Sequence, residues 1–457
     1  DLHLCDRRQR QMCIRDRGDI DNRSSRAMSA DAMMEGTRIH RKIQGSMGKE
    51  YQAEVPLSLV VEGDLYELTV EGRADGIFTE DGKCFVDEIK GMYRRVELFE
   101  KPVFVHRAQA MCYAYIFALQ NNMETIGIQM TYCNLETEQT KYFREEFSFE
   151  EIKKWFDDLM EEYGKWATFQ CEMKNQRQAS IKELDFPYEY RPGQKKLVSD
   201  VYRTIMRQKL LFMQAPTGVG KTISTIFPAV KAVGEELADR IFYLTAKTIT
   251  ATVAKETFAL LEKNGYRAKT IQITAKEKLC PCDEMECNPV TCPYAKGHFD
   301  RVNDAVFDLL HRCEMIERDD ILSQADRYTV CPFELCLDTA SWCDNVICDY
   351  NYVFDPNVYL KRFFQEGIKG DYIFLIDEAH NMVERSRQMY SAQIYKEDFL
   401  TVKRIMKEHS RSIEKALEKC NKILLGMKRE CENYTVYDTF GNMVFSFMRL
   451  MTLLDEF

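Results

Sequence analysis

Three sets of residues in this chain have types and spacings that could do chemistry. The first is Ala215-Pro-Thr-Gly-Val-Gly-Lys-Thr222. Gly218 and Gly220 let backbone amides turn inward around a phosphate, with Pro216, Thr217 and Val219 completing the loop, and a following helix N-terminus adds its positive dipole end. Lys221 can reach β- and γ-phosphates, and Thr222 can offer its hydroxyl to Mg²⁺. Downstream, Asp377-Glu-Ala-His380 supplies two adjacent carboxylates. Asp377 suits a Mg²⁺ shell and Glu378 suits polarising an attacking water, which together describe ATP hydrolysis. The second set is Asp75, in Gly72-Arg-Ala-Asp-Gly76, with Glu88 and Lys90, in Phe85-Val-Asp-Glu-Ile-Lys-Gly91. Two carboxylates on neighbouring strands could hold Mg²⁺ or Mn²⁺, and Lys90 could orient or help deprotonate a water. His40 could add a nitrogen ligand, while Gln109 and Tyr113, one helical turn apart, share a face that could meet a phosphate backbone. The third set is nine cysteines crowded between Cys280 and Cys348.

The elements that must carry these residues follow from periodicity. Leu210–Met213 reads as a strand before the glycine loop, Thr222–Val233 as the helix after it, and Tyr372–Ile376 as the strand that ends at Asp377. Upstream, the pattern predicts a helix around Ala30–Gln44, strands near Glu54–Val61, Tyr66–Arg73 and Cys84–Lys90, and a helix around Val105–Gln120. Strands near Ile126–Cys133 and Lys141–Phe147 and a helix near Phe149–Trp166 follow. Period-two alternation puts Glu88 and Lys90 on one face, with Asp87 on the other. The charged run Glu172–Glu183 reads as a linker.

The chain has 457 residues and a net charge of −10, so any nucleic-acid contact requires basic residues gathered in grooves. Its 17 cysteines occur without a secretory signal, which predicts a reducing, cytoplasmic setting with free thiols. No apolar run approaches a membrane span. Residues 1–26, with CDRRQRQMCIRDR, match no periodic pattern and read as non-native or disordered sequence.

Phe186-Pro-Tyr188 with Arg191 and Gln194 resembles the adenine-reading segment ahead of the phosphate loop in superfamily 2 helicases of the DinG and XPD type. Tyr243-Leu-Thr-Ala-Lys-Thr248 resembles their next motif, so Thr245 and Lys247 are implied to touch nucleic acid. Asp377–His380 resembles their DEAH box, and Val346–Tyr352 with Asp355-Pro356 the segment leading to it. The resemblance implies a RecA-like parallel-sheet motor domain over 186–275 and 344–390, interrupted at 276–343 by a [4Fe–4S] insertion. Cys280, Cys287, Cys292 and Cys331 would be its ligands, at spacings C-x6-C-x4-C-x38-C, with Cys282 as the chief rival. A structural zinc site is the competing reading, since four cysteines serve both metals. Residues 391–457 would begin an arch-like helical insertion. The second motor domain would lie beyond this chain, so the chain alone is expected to bind nucleotide and hydrolyse it poorly. The family implies 5′→3′ travel on single-stranded or forked DNA.

The ordered set His40, Asp75, Glu88, Lys90, Gln109 and Tyr113 resembles PD-(D/E)xK nucleases of the RecB type. It implies a restriction-endonuclease-like α/β domain over 27–170, joined through 171–185 to the motor, that cuts DNA by metal-assisted hydrolysis. Two alternatives stand beside this reading: a DNA-gripping, ATP-responsive module that does not cut, and a zinc-stabilised ATPase that does not unwind.

Overall fold

The computed structural model describes residues 2–3, 18–24, 30–93, 95–216, 218–246, 248–365, 367–455 and 457. Thr217 and Lys247 therefore lie outside the described residues, as does most of the stretch 1–17. The described chain forms two units, Asp1–Asn381 and Met382–Phe457.

The first unit opens with a mixed sheet. Its strands are β1 (Leu2–His3), β2 (Gln52–Glu62), β3 (Glu67–Glu80), β4 (Lys83–Met92), β5 (Thr125–Asn134) and β6 (Thr140–Ser148), ordered β1-β3-β4-β5-β6 with β2 also on β3. Helix α1 (Ala30–Ser46) precedes β2, α2 (Phe104–Gln120) crosses from β4 to its parallel neighbour β5, and α3 (Phe149–Lys182) leaves β6. The β3–β4 turn is Asp81-Gly82, both at positive φ (51° and 78°), which is the two-residue hairpin chemistry an Asp-Gly pair favours. That turn fixes the register Gly76↔Asp87, which brings Asp75 level with Glu88. The core beneath includes Ile77, Val86, Ile116, Ile128 and Phe156.

Helix α3 starts on a capping box between Ser148 and Glu151 and runs for 34 residues. The expected linker Glu172–Glu183 is thus corrected: it is helix to Lys182. Its charges form the solvated face, while Phe169, Arg177 and Ile181 turn inward. Ile152 and Phe156 belong to the front core, and Ile181 to the core of the next sheet. Arg177 closes the joint by an ion pair to Asp344.

The next sheet is parallel throughout. It comprises β7 (Arg240–Thr245), β8 (Thr270–Gln272), β9 (Met315–Ile316), β10 (Asn345–Asp349) and β11 (Tyr372–Ile376), in the order β11-β7-β10-β8-β9. Helices α4 (Gln194–Met206), α5 (Lys221–Gly234) and α6 (Thr248–Lys263) flank it, with Ile226, Val230, Ile241, Phe258 and Ile347 in its core. Parallel strands buried by helices on their faces are the expected α/β architecture. One expected strand does not form. Leu210–Met213 belongs to no strand, and Leu210 and Phe212 are 88% and 89% exposed. An apolar run becomes a strand only when an edge receives it. β11 pairs with β7 alone, and Phe374 and Ile376 on it are exposed.

The cysteine-rich stretch carries a short helix, Lys276–Leu279, then α7 (His298–Arg312), α8 (Arg318–Tyr328) and α9 (Pro332–Ala340). It also lends the two-residue β9 to the parallel sheet, with Ile316 opposite Ile271. The second unit is helical: α10 (Met382–Met389), α11 (Lys396–Met406), α12 (Arg411–Arg429) and α13 (Asn442–Asp455), packed around Met406, Ile413, Leu417, Cys420 and Leu450.

Candidate functional site

The glycine loop lies at the carboxyl end of the parallel sheet, where α/β folds place their ligands. Gly218 and Gly220 both adopt positive φ (83° and 78°), and Gly220 is the residue from which α5 starts. A side chain at Gly220 would meet Gln194 Nε2 at 2.8 Å, so glycine is required there. Gln194 is buried; its Oε1 accepts from Arg191 N at 3.0 Å and its Nε2 donates to Ser224 Oγ at 3.1 Å. Arg191 donates to Gly218 O. The pair expected to read adenine is therefore fastened to the phosphate loop itself. Pro216 and Val219 complete the described part of the loop.

Strand β11 delivers Asp377 and Glu378 to the same place. Lys221 Nζ lies 3.8 Å from Glu378 Oε1, and His380 Nδ1 lies 3.3 Å from Glu378 Oε2. Glu378 sits at φ 51°, a left-handed conformation that costs energy for a non-glycine residue and recurs at functional sites. Asp377 N donates to Leu244 O of β7 at 2.9 Å, and Tyr350 donates to the carbonyls of Asp377 and Glu378. Sequence reasoning missed Tyr243. It is buried on β7, and burial, then the Asp377 charge, raises its pKa. Its position one strand over from Asp377 was a readable signal. Thr245 is buried and hydrogen-bonded with Thr250 at the start of α6. From there it is placed to position that helix.

In the front domain the structure brings together four of the residues singled out. Asp75 Oδ2 accepts from Ile89 N at 2.7 Å, and its Oδ1 lies 3.5 Å from His40 Nδ1. Hydrogen bonding to Asp75 raises the His40 pKa. Glu88 is 1% exposed; its Oε1 lies 2.5 Å from Lys90 Nζ, while its Oε2 has no hydrogen-bond partner. Burial pushes the Glu88 carboxyl up to about 7. Burial alone would lower the Lys90 pKa, but Glu88 more than offsets it and the net shift is upward. Lys90 is thus held against the Glu88 carboxylate, where it can orient and neutralise. Gln109 Nε2 donates to Tyr113 Oη at 3.2 Å, and Tyr113 is buried under Gly72, so Gln109 is the more accessible of the two. Asp87 faces the other side, accepting from Thr131 at 2.6 Å and Tyr51 at 3.1 Å. His106 was missed. It shares the α2 face of Gln109 and Tyr113 at i, i+3, i+7, bonds Tyr132 Oη at 3.1 Å, and has its pKa pushed down to about 4, chiefly by burial and then by Lys90.

Cys280, Cys287, Cys292 and Cys331 line one small pocket, joined by Cys282, whose Sγ is 3.8 Å from Cys292 Sγ. Burial pushes Cys331 up to about 11 and Cys282 to about 12, so both are thiols until a metal displaces their protons. The donor set fits a metal that takes four thiolates, whether iron–sulfur or zinc. The orphaned Glu88 oxygen beside Asp75 and His40 fits a divalent cation. Among the described residues no group of three or more His, Cys, Asp or Glu side chains stands as a closed metal cage.

Residues 259–399 match the DEAD_2 family model. Among proteins, the general transcription and DNA repair factor IIH helicase subunit XPD/RAD3 of Saccharomyces cerevisiae is 23% identical over 232 residues, which is 43% of this chain and 29% of that protein. The regulator of telomere elongation helicase 1 homolog of Caenorhabditis elegans is 20% identical over 256 residues, 46% of this chain and 25% of that protein. A solved structure described as truncated XPD is 15% identical, covering 57% of this chain and 76% of its own, with a TM-score of 0.36. The chain thus spans less than a third of the length of these curated relatives. Among the described residues no helix is long and apolar enough to cross a membrane.

Proposed function

We propose that this chain belongs to an ATP-driven DNA helicase that also carries a metal-dependent nuclease domain and a four-cysteine metal site. The observation that carries the motor reading is the 3.8 Å approach of Lys221 to Glu378, which joins two motifs far apart in sequence at one sheet end. Amides at Gly218 and Gly220 and the start of α5 receive the phosphates. Lys221 neutralises their charge as the β–γ bond breaks, and Thr222 and Asp377 would hold Mg²⁺. Glu378, fixed between Lys221 and His380, orients the attacking water. In the front domain Asp75, Glu88 and His40 would hold the divalent ion, whose role when bound is to activate water and stabilise charge on phosphate. Lys90 sets the Glu88 carboxylate and offers positive charge to the scissile phosphate, and Gln109 meets the strand. Translocation would run 5′→3′ on single-stranded and forked DNA, with [4Fe–4S] favoured over zinc in the cysteine pocket.

The test separates the two centres. With Mg²⁺ and ATP, Lys221→Ala should lower strand separation by about 10²–10³-fold while leaving cutting of single-stranded DNA intact. Lys90→Ala should do the reverse. Loss of cutting on a fully single-stranded substrate in Lys221→Ala would refute two independent centres. The second reading is a front domain that grips DNA without cutting. Divalent-metal cleavage assays decide between them, and brown colour with iron and sulfide content decides between iron–sulfur and zinc.

A further inference from the structure

Residues 18–22 fall in a stretch whose sequence gave no reason to include it in the fold, yet the structure engages them fully. Ile20 N donates to Ala295 O at 2.9 Å and Asn22 N to Cys287 O at 3.0 Å. Gly297 N donates to Asp19 Oδ1 at 2.6 Å, and Phe299 N to Gly18 O at 3.0 Å. In return Gly18 N donates to Asp300 Oδ1 at 3.2 Å. Gly297 immediately precedes α7, and Phe299 and Asp300 lie in its first turn. The first amides of a helix have no partner within it, and a carboxylate placed there satisfies donors and complements the dipole. Here the cap comes from nearly 280 positions away, and Asp300 answers it as the third residue of a capping box would. Ile20, between these bonds, lines the cysteine pocket beside Cys280, Cys287 and Cys292.

We propose that Gly18–Asn22 is a strap that closes the cysteine pocket and pins the Cys287–Cys292 turn to the start of α7, so that access to the thiolates depends on the N-terminal segment. The strap stands on backbone geometry. Its effect on a bound metal rests on the cysteine pocket being a metal site, and the experiment keeps the two apart. Two polar anchors and one apolar plug carry it: Asp19, the Gly18 backbone and Ile20. Loss of a helix cap alone shifts a local opening equilibrium by roughly fivefold.

The test uses the whole chain, anaerobically purified, as wild type, Asp19→Ala, Ile20→Ser and the pair combined. Iodoacetamide labelling is followed cysteine by cysteine after metal removal, with iron and sulfide measured beforehand and iron release to a ferrous chelator timed separately. The combined variant should label Cys287 and Cys292 about 5- to 10-fold faster, with Cys343 and Cys348, buried in the sheet region, unchanged as the control for folding. Iron release should accelerate in parallel. Unchanged labelling of Cys287 and Cys292 with Cys343 and Cys348 still protected overturns the strap. Faster labelling in a protein holding neither iron nor sulfide keeps the strap and overturns the iron–sulfur assignment instead. If the combined variant exposes Cys343 and Cys348, Ile20→Val decides: a rate between wild type and Ile20→Ser supports the plug, and a wild-type rate in all single variants removes it.

Discussion

In the front domain Glu88 is almost fully enclosed, one of its oxygens has no partner, and its carboxyl is pushed up to about 7. In the motor lobe, by contrast, Lys221 and Glu378 keep 34% and 37% of their side-chain surface, and the segment leading into the phosphate loop lies outside the sheet. The difference matches the ligands. A divalent ion is small, and a buried acid oxygen without a partner is costly until something positive arrives. A nucleotide is large and brings its own phosphates and metal, so its site can stay open and close around it.

The sharpest way to break this comparison is at the enclosed centre. Asp75→Asn and Glu88→Gln should each lower metal-dependent cutting by about 10²–10³-fold and abolish the rise in melting temperature that Mn²⁺ gives the wild type. A Mn²⁺-induced rise that survives both substitutions would mean the ion binds elsewhere. A smaller effect tests the open centre. Tyr243→Phe removes a buried hydroxyl that senses the Asp377 charge and should cost about tenfold in ATP turnover, with nucleotide affinity little changed. An unaltered turnover would show that this hydroxyl does not order the magnesium ligands.

The smallest effect is a pH slope. His106 is depressed from 6.5 to about 4 in the folded chain, so the unfolded chain takes up the proton first as pH falls. Its contribution to stability is present above pH 6.5 and lost as pH falls through 4. Denaturant midpoints between those limits should fall less steeply in His106→Gln than in wild type; identical slopes would remove His106 from the enclosed cluster.

Much of this arrangement was readable from residue order. The front strands and helices follow period-two and period-3.6 patterns, and the observed elements differ from the expected ones mainly by lengthening at their ends. Asp75, Glu88, Lys90 and His40 were found because two adjacent strands and one helix face constrain them. What escaped lacked a local period. The charge run in α3 looks like linker until Arg177 and Ile181 are seen to turn inward every fourth residue. Leu210–Met213 looks like strand because apolar composition says nothing about whether an edge is available. The strap has no pattern at all, since its bonds are made mostly by backbone atoms to residues far down the chain. Tyr243 and His106 were each visible as residue types, but their roles come from neighbours on other elements.

Helix α3 has one further implication. A rod of 34 residues is about 51 Å long, and it plants side chains in both cores of the first unit. The two lobes cannot then be exchanged as separate cassettes: a boundary drawn anywhere along the rod would strip one hydrophobic interior of its wall. Evolution would have to inherit both chemistries together or lose both.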